Sequence, residues 1–251
     1  MAVCLQGRAE PSILFLAQKI LKQTLWWIQY KSIMGQKLMD NIDIETLVES
    51  YKDIATSTIG HLNERGYLPD IKALYPCTHT VVGKIVTVVL NSDNTEVINQ
   101  ALIQAQPNDV LCIDAQVLGN KACWGALRTC AAIYEKLAGV VVIGRATDSL
   151  QIQQLVFPVF AQGVSAVTTF KSNDTKGMLE ADIRYRFGEQ STLIRSGDIA
   201  IMDNDGVFVL SPEVAQQLLP DCQDKHQQDE TKFQLFFEAY QNNQLDHLFR
   251  K

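Results

Sequence analysis

From Asp43, Ile44, Leu47, Val48, Tyr51 and Ile54 recur at helical spacing, and Asp43 is placed to cap the helix they predict. A second short helix is expected from Thr58 to Arg65, closed by Gly66 and barred from continuing by Pro69. The period then changes. Thr80 to Leu90 is rich in valine and isoleucine and reads as a strand, with Gly83 at a bulge or close backbone contact. Ser92 and Asp93 offer caps for a helix from Asn94 to Ala105, and Pro107-Asn108 turns the chain into the apolar strand Asp109 to Asp114. Ala122 to Leu137 reads as a helix with Leu127, Cys130, Ala131 and Tyr134 inward, closed by Gly139. Val140 to Ile143 is then a fully buried strand, and the succession of strand, helix and strand implies at least one parallel pair.

Beyond Asp148 the pattern becomes one of short strands. Pro158 to Ala161 and Val164 to Phe170 read as strands split by Gly163, and Leu179, Ala181, Ile183, Tyr185 and Phe187 alternate strictly; all of these are expected to be antiparallel. Asp203-Asn204-Asp205-Gly206 lies between Ile199–Met202 and Val207–Leu210 and reads as a hairpin turn. It resembles the start of a calcium loop, but no glutamate follows at the required distance, which favours the turn. Ser211-Pro212-Glu213 caps a further helix, and a final helix is expected from Asp229 to Phe249 with Phe233, Phe236, Phe237 and Tyr240 on its apolar face. The sum is an α/β protein, a layered mixed-sheet sandwich with extra N- and C-terminal helices and no internal repeat.

The first 34 residues stand apart: Arg8, Lys19, Lys22 and Lys31 against Glu10 give +3, leaving −9 of the total of −6 to the rest. Ile13, Leu14, Leu16, Ala17, Ile20, Leu21, Leu25 and Ile28 follow a helical period. The segment reads as a helix docked on the domain or a partner chain, as an interfacial helix, or as an upstream extension ahead of a start at Met34 or Met39. Its longest apolar run falls short of the ~18 residues a membrane span needs, so no span and a cytoplasmic location are expected. The division is thus 1–34 as helix or extension, 35–221 as the main domain and 222–251 as a C-terminal helix.

With 47% hydrophobic and 20% charged residues the chain has the composition of a globular protein. The net charge of −6, with no basic stripe, argues against nucleic acid as partner. The six cysteines include no CxxC pair, and no two of the four histidines share a helical face at i, i+4, so a zinc or thiol-redox site is not expected.

Several stretches together resemble one family: Gln106 to Asp114, Ala122 to Gly125, Ala138 to Gly144 ending at Asp148, Phe157 to Gly163, and Ser196 to Leu210. It is the RraA-like family, which comprises regulator of ribonuclease activity A and the 4-hydroxy-4-methyl-2-oxoglutarate aldolases. The resemblance covers roughly Ile54 to Pro212. It implies a swivelling-domain type of sheet, a homotrimeric ring with sites between subunits, and a divalent cation, magnesium or manganese, held by one aspartate and otherwise by water. In such aldolases an arginine just before that aspartate clamps the carboxylate of a small α-keto acid, and an acidic residue on the preceding helix positions a water. Cleavage next to an α-keto acid builds negative charge that a Lewis acid stabilises, and a guanidinium holds a carboxylate through two parallel hydrogen bonds.

Carried over residue by residue, Asp148 matches the metal-binding position, Thr147 stands where the clamp arginine would be, and Ala126 stands where the acidic residue would be. Gly125, Ala126, Leu127, Arg128 and Thr147 fall at the positions that would line the substrate. Asp114 matches a family aspartate with a supporting role. Arg145 on the same loop, or Arg128 on the helix, is a candidate substitute for the missing clamp; otherwise both are surface arginines. Asp148 would equally serve as the N-cap of a helix from Leu150 to Leu155. Two functions follow: a metal-dependent lyase of the aldolase or oxaloacetate decarboxylase type with a degenerate site, or a non-catalytic trimeric protein that regulates a partner such as a ribonuclease. A methyltransferase is set aside for want of a GxGxxG after a strand.

Overall fold

The computed structural model describes residues 43–243 apart from 171, 172 and 175. The expectations for 1–34 and for the helix beyond 243 lie outside the described residues. Six helices are described: α1 (Ile44–Ser50), α2 (Thr56–Leu62), α3 (Glu96–Gln104), α4 (Ala126–Tyr134), α5 (Ser149–Leu155) and α6 (Pro212–Gln241). The strands are β1 (Lys72–Ala73), β2 (Val81–Val89), β3 (Val110–Asp114), β4 (Ala122–Trp124), β5 (Gly139–Ala146), β6 (Val159–Val164), β7 (Met178–Leu179), β8 (Ile183–Phe187), β9 (Gln190–Ile194), β10 (Ile199–Asp203) and β11 (Gly206–Leu210). Nine of them form one sheet in the order β1-β6-β5-β3-β2-β10-β11, with β4 beside β5 and β7 beside β2.

The centre of the sheet, β2, β3, β5 and β6, is parallel, as the buried apolar runs predicted for β3 and β5, whereas β6, expected antiparallel, runs parallel to β5; β10 and β1 pair antiparallel at its two sides. One short segment reaches both sides. Leu68 N–H donates to Val207 O at 2.9 Å and Val209 N–H to Gly66 O at 2.8 Å, and a few residues later β1 pairs with β6. The mixed sheet is therefore nearly closed.

Successive residues of each strand face opposite sides. Ile85, Val110, Cys112, Val141, Ile143 and Met202 fill the interior, where the β8–β9 hairpin adds Ile183, Tyr185 and Ile194. Val88, Leu111, Val140 and Val142 face outward against Val97 and Ile98 of α3, Ala132 of α4 and Ile152 of α5. Gly83 marks a close contact rather than a bulge: a Cβ there would sit 2.5 Å from Asn108 O, while the pairing of β2 keeps its register.

Further expectations change: Ala122–Trp124, expected as the start of a helix, is the strand β4 paired with β5, and the helix begins at Ala126. In α4 the buried residues are Thr129 and Ala132, while Leu127 is 87% exposed, Tyr134 81% exposed and Cys130 exposed. Apolar residues occupy both faces of this helix, and the bond from Trp124 Nε1 to Thr129 Oγ1 at 2.9 Å turns the smaller face to the sheet. The two expected C-terminal helices are one, α6, of 30 residues and ~45 Å, which runs through Pro220, so the boundary drawn at 221 falls inside it. Ala215 and Cys222 are buried on either side of that proline, and packing against α1 and α2 overrides the local break. The distal turns of α6 leave Phe233, Phe236, Phe237 and Tyr240 exposed, with Phe233 and Phe237 stacked at 5.6 Å. Lastly, β6 passes through Gly163 and ends at Val164, with only an isolated bridge at Thr168 beyond it. No helix among the described residues is long and apolar enough to cross a membrane.

Candidate functional site

β5 is buried along almost its whole length and carries the chain to Ala146. Thr147 N–H then donates to Trp124 O at 2.8 Å, which ties the loop after β5 to the end of β4. Asp148 follows in the left-handed region, with φ 56° and ψ 38°, a conformation that costs residues other than glycine, though aspartate less than most. It occupies the N-cap position of α5, yet its side chain makes no capping bond there. Instead Oδ2 accepts the N–H of Ala126, the first residue of α4, at 3.0 Å. Oδ1 meets only the Thr147 hydroxyl, at 3.5 Å. The carboxylate is thus held at the positive end of α4 with one oxygen turned to solvent.

Gly125 makes this approach possible. A Cβ there would lie 2.5 Å from Asp148 Oδ2 and 2.9 Å from Thr147 Cγ2. The carbonyl of Gly125 accepts both the N–H and the hydroxyl of Thr129, each at 3.0 Å. Gly125, Ala126, Thr147 and Asp148 are therefore brought together, and Leu127 stands exposed beside them on the first turn of α4.

The two arginines go elsewhere. Arg145 shares strand parity with Val141 and Ile143, on the interior side of the sheet, whereas α4 and α5 pack on the other side. Its Nη1 donates to Gln162 O at 3.0 Å, over Gly163, where a Cβ would lie 2.3 Å from that nitrogen. Gln162 Nε2 in turn donates to Asp70 Oδ2 at 2.7 Å, and the Tyr185 hydroxyl donates to the other oxygen of Asp70. Burial, and then the bond to Asp70, raise the pKa of Tyr185 above its ordinary value. Arg128 donates to Cys123 O, to Thr95 O at 3.2 Å, to Thr95 Oγ1 at 2.8 Å and to Asn99 Oδ1 at 3.3 Å. It staples α4 to the start of α3, and burial lowers its pKa. It also borders a hollow of about 600 Å³, lined among others by the ion pair of Lys176 and Glu96 and by Asp93, whose partner is Lys121.

Asp114 accepts the backbone N–H and the side-chain amide of Gln116, each at 3.1 Å, and holds the turn after β3. The calcium-like turn is spent in a similar way. Asp203 Oδ2 accepts Thr56 N–H at 2.7 Å, and Oδ1 accepts the Thr56 hydroxyl and Asp205 N–H at 2.9 Å. Sequence reasoning missed this cap of α2, and it missed Trp124 and Thr129 behind Gly125.

No group of three or more histidine, cysteine, aspartate or glutamate residues that could hold a metal occurs among the described residues. Around Asp148 the available donors are hard oxygens: Oδ1, the Thr147 hydroxyl and water. That set suits a largely hydrated magnesium or manganese ion and does not suit zinc.

A family model described as RraA-like: Aldolase/RraA matches residues 38–209. A protein of Halalkalibacterium halodurans named "Putative 4-hydroxy-4-methyl-2-oxoglutarate aldolase" is 29% identical over 177 residues, which cover 70% of this chain and 75% of that one. Among solved structures, Streptomyces coelicolor RraAS2, described as an unusual member of the RNase ES inhibitor RraA protein family, aligns with a TM-score of 0.61 at 23% identity over 74% of this chain and 95% of that one. A Geobacillus kaustophilus protein named S-adenosylmethionine: 2-dimethylmenaquinone methyltransferase aligns with a TM-score of 0.53 at 26% identity over 63% of this chain and 95% of that one.

Proposed function

Because the chain belongs to the RraA-like family, we propose that it is a divalent-metal-dependent lyase of small α-keto acids, of the 4-hydroxy-4-methyl-2-oxoglutarate aldolase or oxaloacetate decarboxylase type, centred on Asp148. The observation that carries this reading is Oδ1 of Asp148, which meets only the Thr147 hydroxyl at 3.5 Å, on a left-handed residue whose other oxygen is fixed by Ala126. Unfavourable backbone conformations persist where the surrounding structure holds them, often at functional sites. Asp148 would hold magnesium or manganese, with Thr147 beside it. When bound, the cation would supply Lewis-acid stabilisation of the negative charge that develops on the substrate's keto oxygen.

The chain's own residues set what else is possible. Helical geometry leaves the N–H groups of Leu127 and Arg128 without intrahelical acceptors, so the first turn of α4 can receive a carboxylate in place of a guanidinium. Thr147 offers a hydroxyl but no charge, and Ala126 offers no acid. Decarboxylation suits this set better than aldol cleavage, because carbon dioxide leaves without a base removing a hydroxyl proton. Leu127, 87% exposed, Leu150, 70% exposed, and Val164, 57% exposed, lie at the starts of α4 and α5 and the end of β6. This apolar rim supports a homotrimer in which a second copy covers the site.

The test is magnesium- or manganese-dependent pyruvate release from 4-hydroxy-4-methyl-2-oxoglutarate and from oxaloacetate, with Asp148→Ala as control and oligomeric state measured by ultracentrifugation. Turnover by the native chain and its loss in the variant are expected. Equal turnover in both, or in neither, sinks the reading. The uncharged Thr147 and Ala126 favour a second one, a non-catalytic trimeric protein that regulates a partner such as a ribonuclease. An unchanged ribonuclease rate on addition of the chain would count against it.

A further inference from the structure

A peptide group is a rigid plane, so whatever fixes the carbonyl of Gly125 also aims the N–H of Ala126. That carbonyl accepts two hydrogen bonds, from the N–H and the hydroxyl of Thr129 at 3.0 Å each. Behind the hydroxyl stands the indole of Trp124, whose Nε1 lies 2.9 Å from Thr129 Oγ1. Trp124 and Thr129 are both 0% exposed, so no water competes for these bonds.

The direction of the chain of bonds is fixed by chemistry. An indole N–H can only donate, so Thr129 Oγ1 must accept from it, and the single hydroxyl proton is left for Gly125 O. A carbonyl polarised by two donors makes the N–H across the same amide a stronger donor. That N–H is the one that holds Asp148 Oδ2 at 3.0 Å. The carbonyl of Trp124, one residue earlier, receives Thr147 N–H at 2.8 Å and so fixes the loop from its other side.

We propose that Thr129, oriented by Trp124, is the positioning residue of this site: its hydroxyl locks the Gly125–Ala126 peptide so that Asp148 is held by Oδ2 and presents Oδ1 to a divalent cation. The cation half of this statement rests on the metal-dependent reading above; the peptide-locking half does not. Three variants separate the contributions. Thr129→Val keeps the branched shape and removes the hydroxyl, Thr129→Ser keeps the hydroxyl, and Trp124→Phe keeps an aromatic ring but removes the indole N–H that orients it.

The experiment measures the Mn(II) dissociation constant of the full chain by electron paramagnetic resonance and the exchange rate of the Ala126 amide by NMR. Thr129→Val is expected to weaken Mn(II) binding about tenfold, the scale on which partners behind a metal ligand act. It is also expected to speed Ala126 exchange, with Thr129→Ser restoring both and Trp124→Phe falling between. A Thr129→Val protein that melts earlier but keeps native Mn(II) affinity and Ala126 exchange overturns the proposal. If the native chain binds no Mn(II), the metal reading fails and Ala126 exchange alone decides whether Thr129 locks the peptide. Should Thr129→Val not fold, Trp124→Phe against the native chain carries the same test.

Discussion

Asp148 and Asp203 stand at or just past the ends of buried strands, β5 and β10, and each carboxylate reaches the start of a helix distant in sequence. Asp203 receives Thr56 N–H at 2.7 Å and Asp148 receives Ala126 N–H at 3.0 Å. The difference lies in the second oxygen. That of Asp203 also accepts the Thr56 hydroxyl and Asp205 N–H, whereas that of Asp148 meets one hydroxyl at 3.5 Å from a left-handed backbone. A carboxylate with both oxygens saturated is a fastening. One with an oxygen to spare, held in a costly conformation, is available to a ligand.

Mutation can break this contrast. Asp203→Ala should cost about 2 kcal/mol, the loss of a helix cap with its added hydrogen bonds, read as a lower urea midpoint. Arg128→Met, which unfastens α4 from α3, should cost about 1 kcal/mol in the same measurement and leave Mn(II) affinity unchanged. Asp148→Ala should also cost about 1 kcal/mol, while Asp148→Gly should come within about 0.5 kcal/mol of the native chain, because glycine removes the left-handed penalty that offsets the lost bond. Both Asp148 variants should lose Mn(II) binding. An Asp148 variant as damaging to stability as Asp203→Ala would erase the distinction.

A third aspartate supplies the smallest effect. Asp198 is 6% exposed and accepts Arg195 N–H at 2.8 Å, and burial raises its pKa above the ordinary value of 3.8. Its folded pKa exceeds its unfolded one, so its contribution to stability is full below the ordinary value and is lost as pH rises through the folded value. Asp198→Asn keeps an acceptor for Arg195 and should flatten that acid-side decline. Urea midpoints across the acid range compare the two.

The parallel centre of the sheet was legible because β3 and β5 are continuous apolar runs that only burial on both faces explains. The family was legible because the order and spacing of five stretches match it, and the candidate loop at Asp148 was singled out on that resemblance. The direction of Arg145 was harder to read: a strand buried on both sides has no polar alternation to label its faces, although parity with Val141 and Ile143 held the answer. Asp203 and Thr56 lie 147 residues apart, and nothing local announces such a bond. The inward face of α4 is hard to read because apolar residues lie all round it: Ala131 packs partly buried against the core as its period suggests, while Leu127 and Tyr134 are exposed and the buried Thr129 bonds Trp124.

The segment from Gly66 to Ala73 has a mechanical meaning as well. It is the seam of the nearly closed sheet, stitched to β11 at one end and to β6 at the other. Asp70, midway along it, is riveted to Gln162 of β6 and Tyr185 of the interior hairpin. Opening the seam would therefore loosen the hairpin and bare two strand edges together.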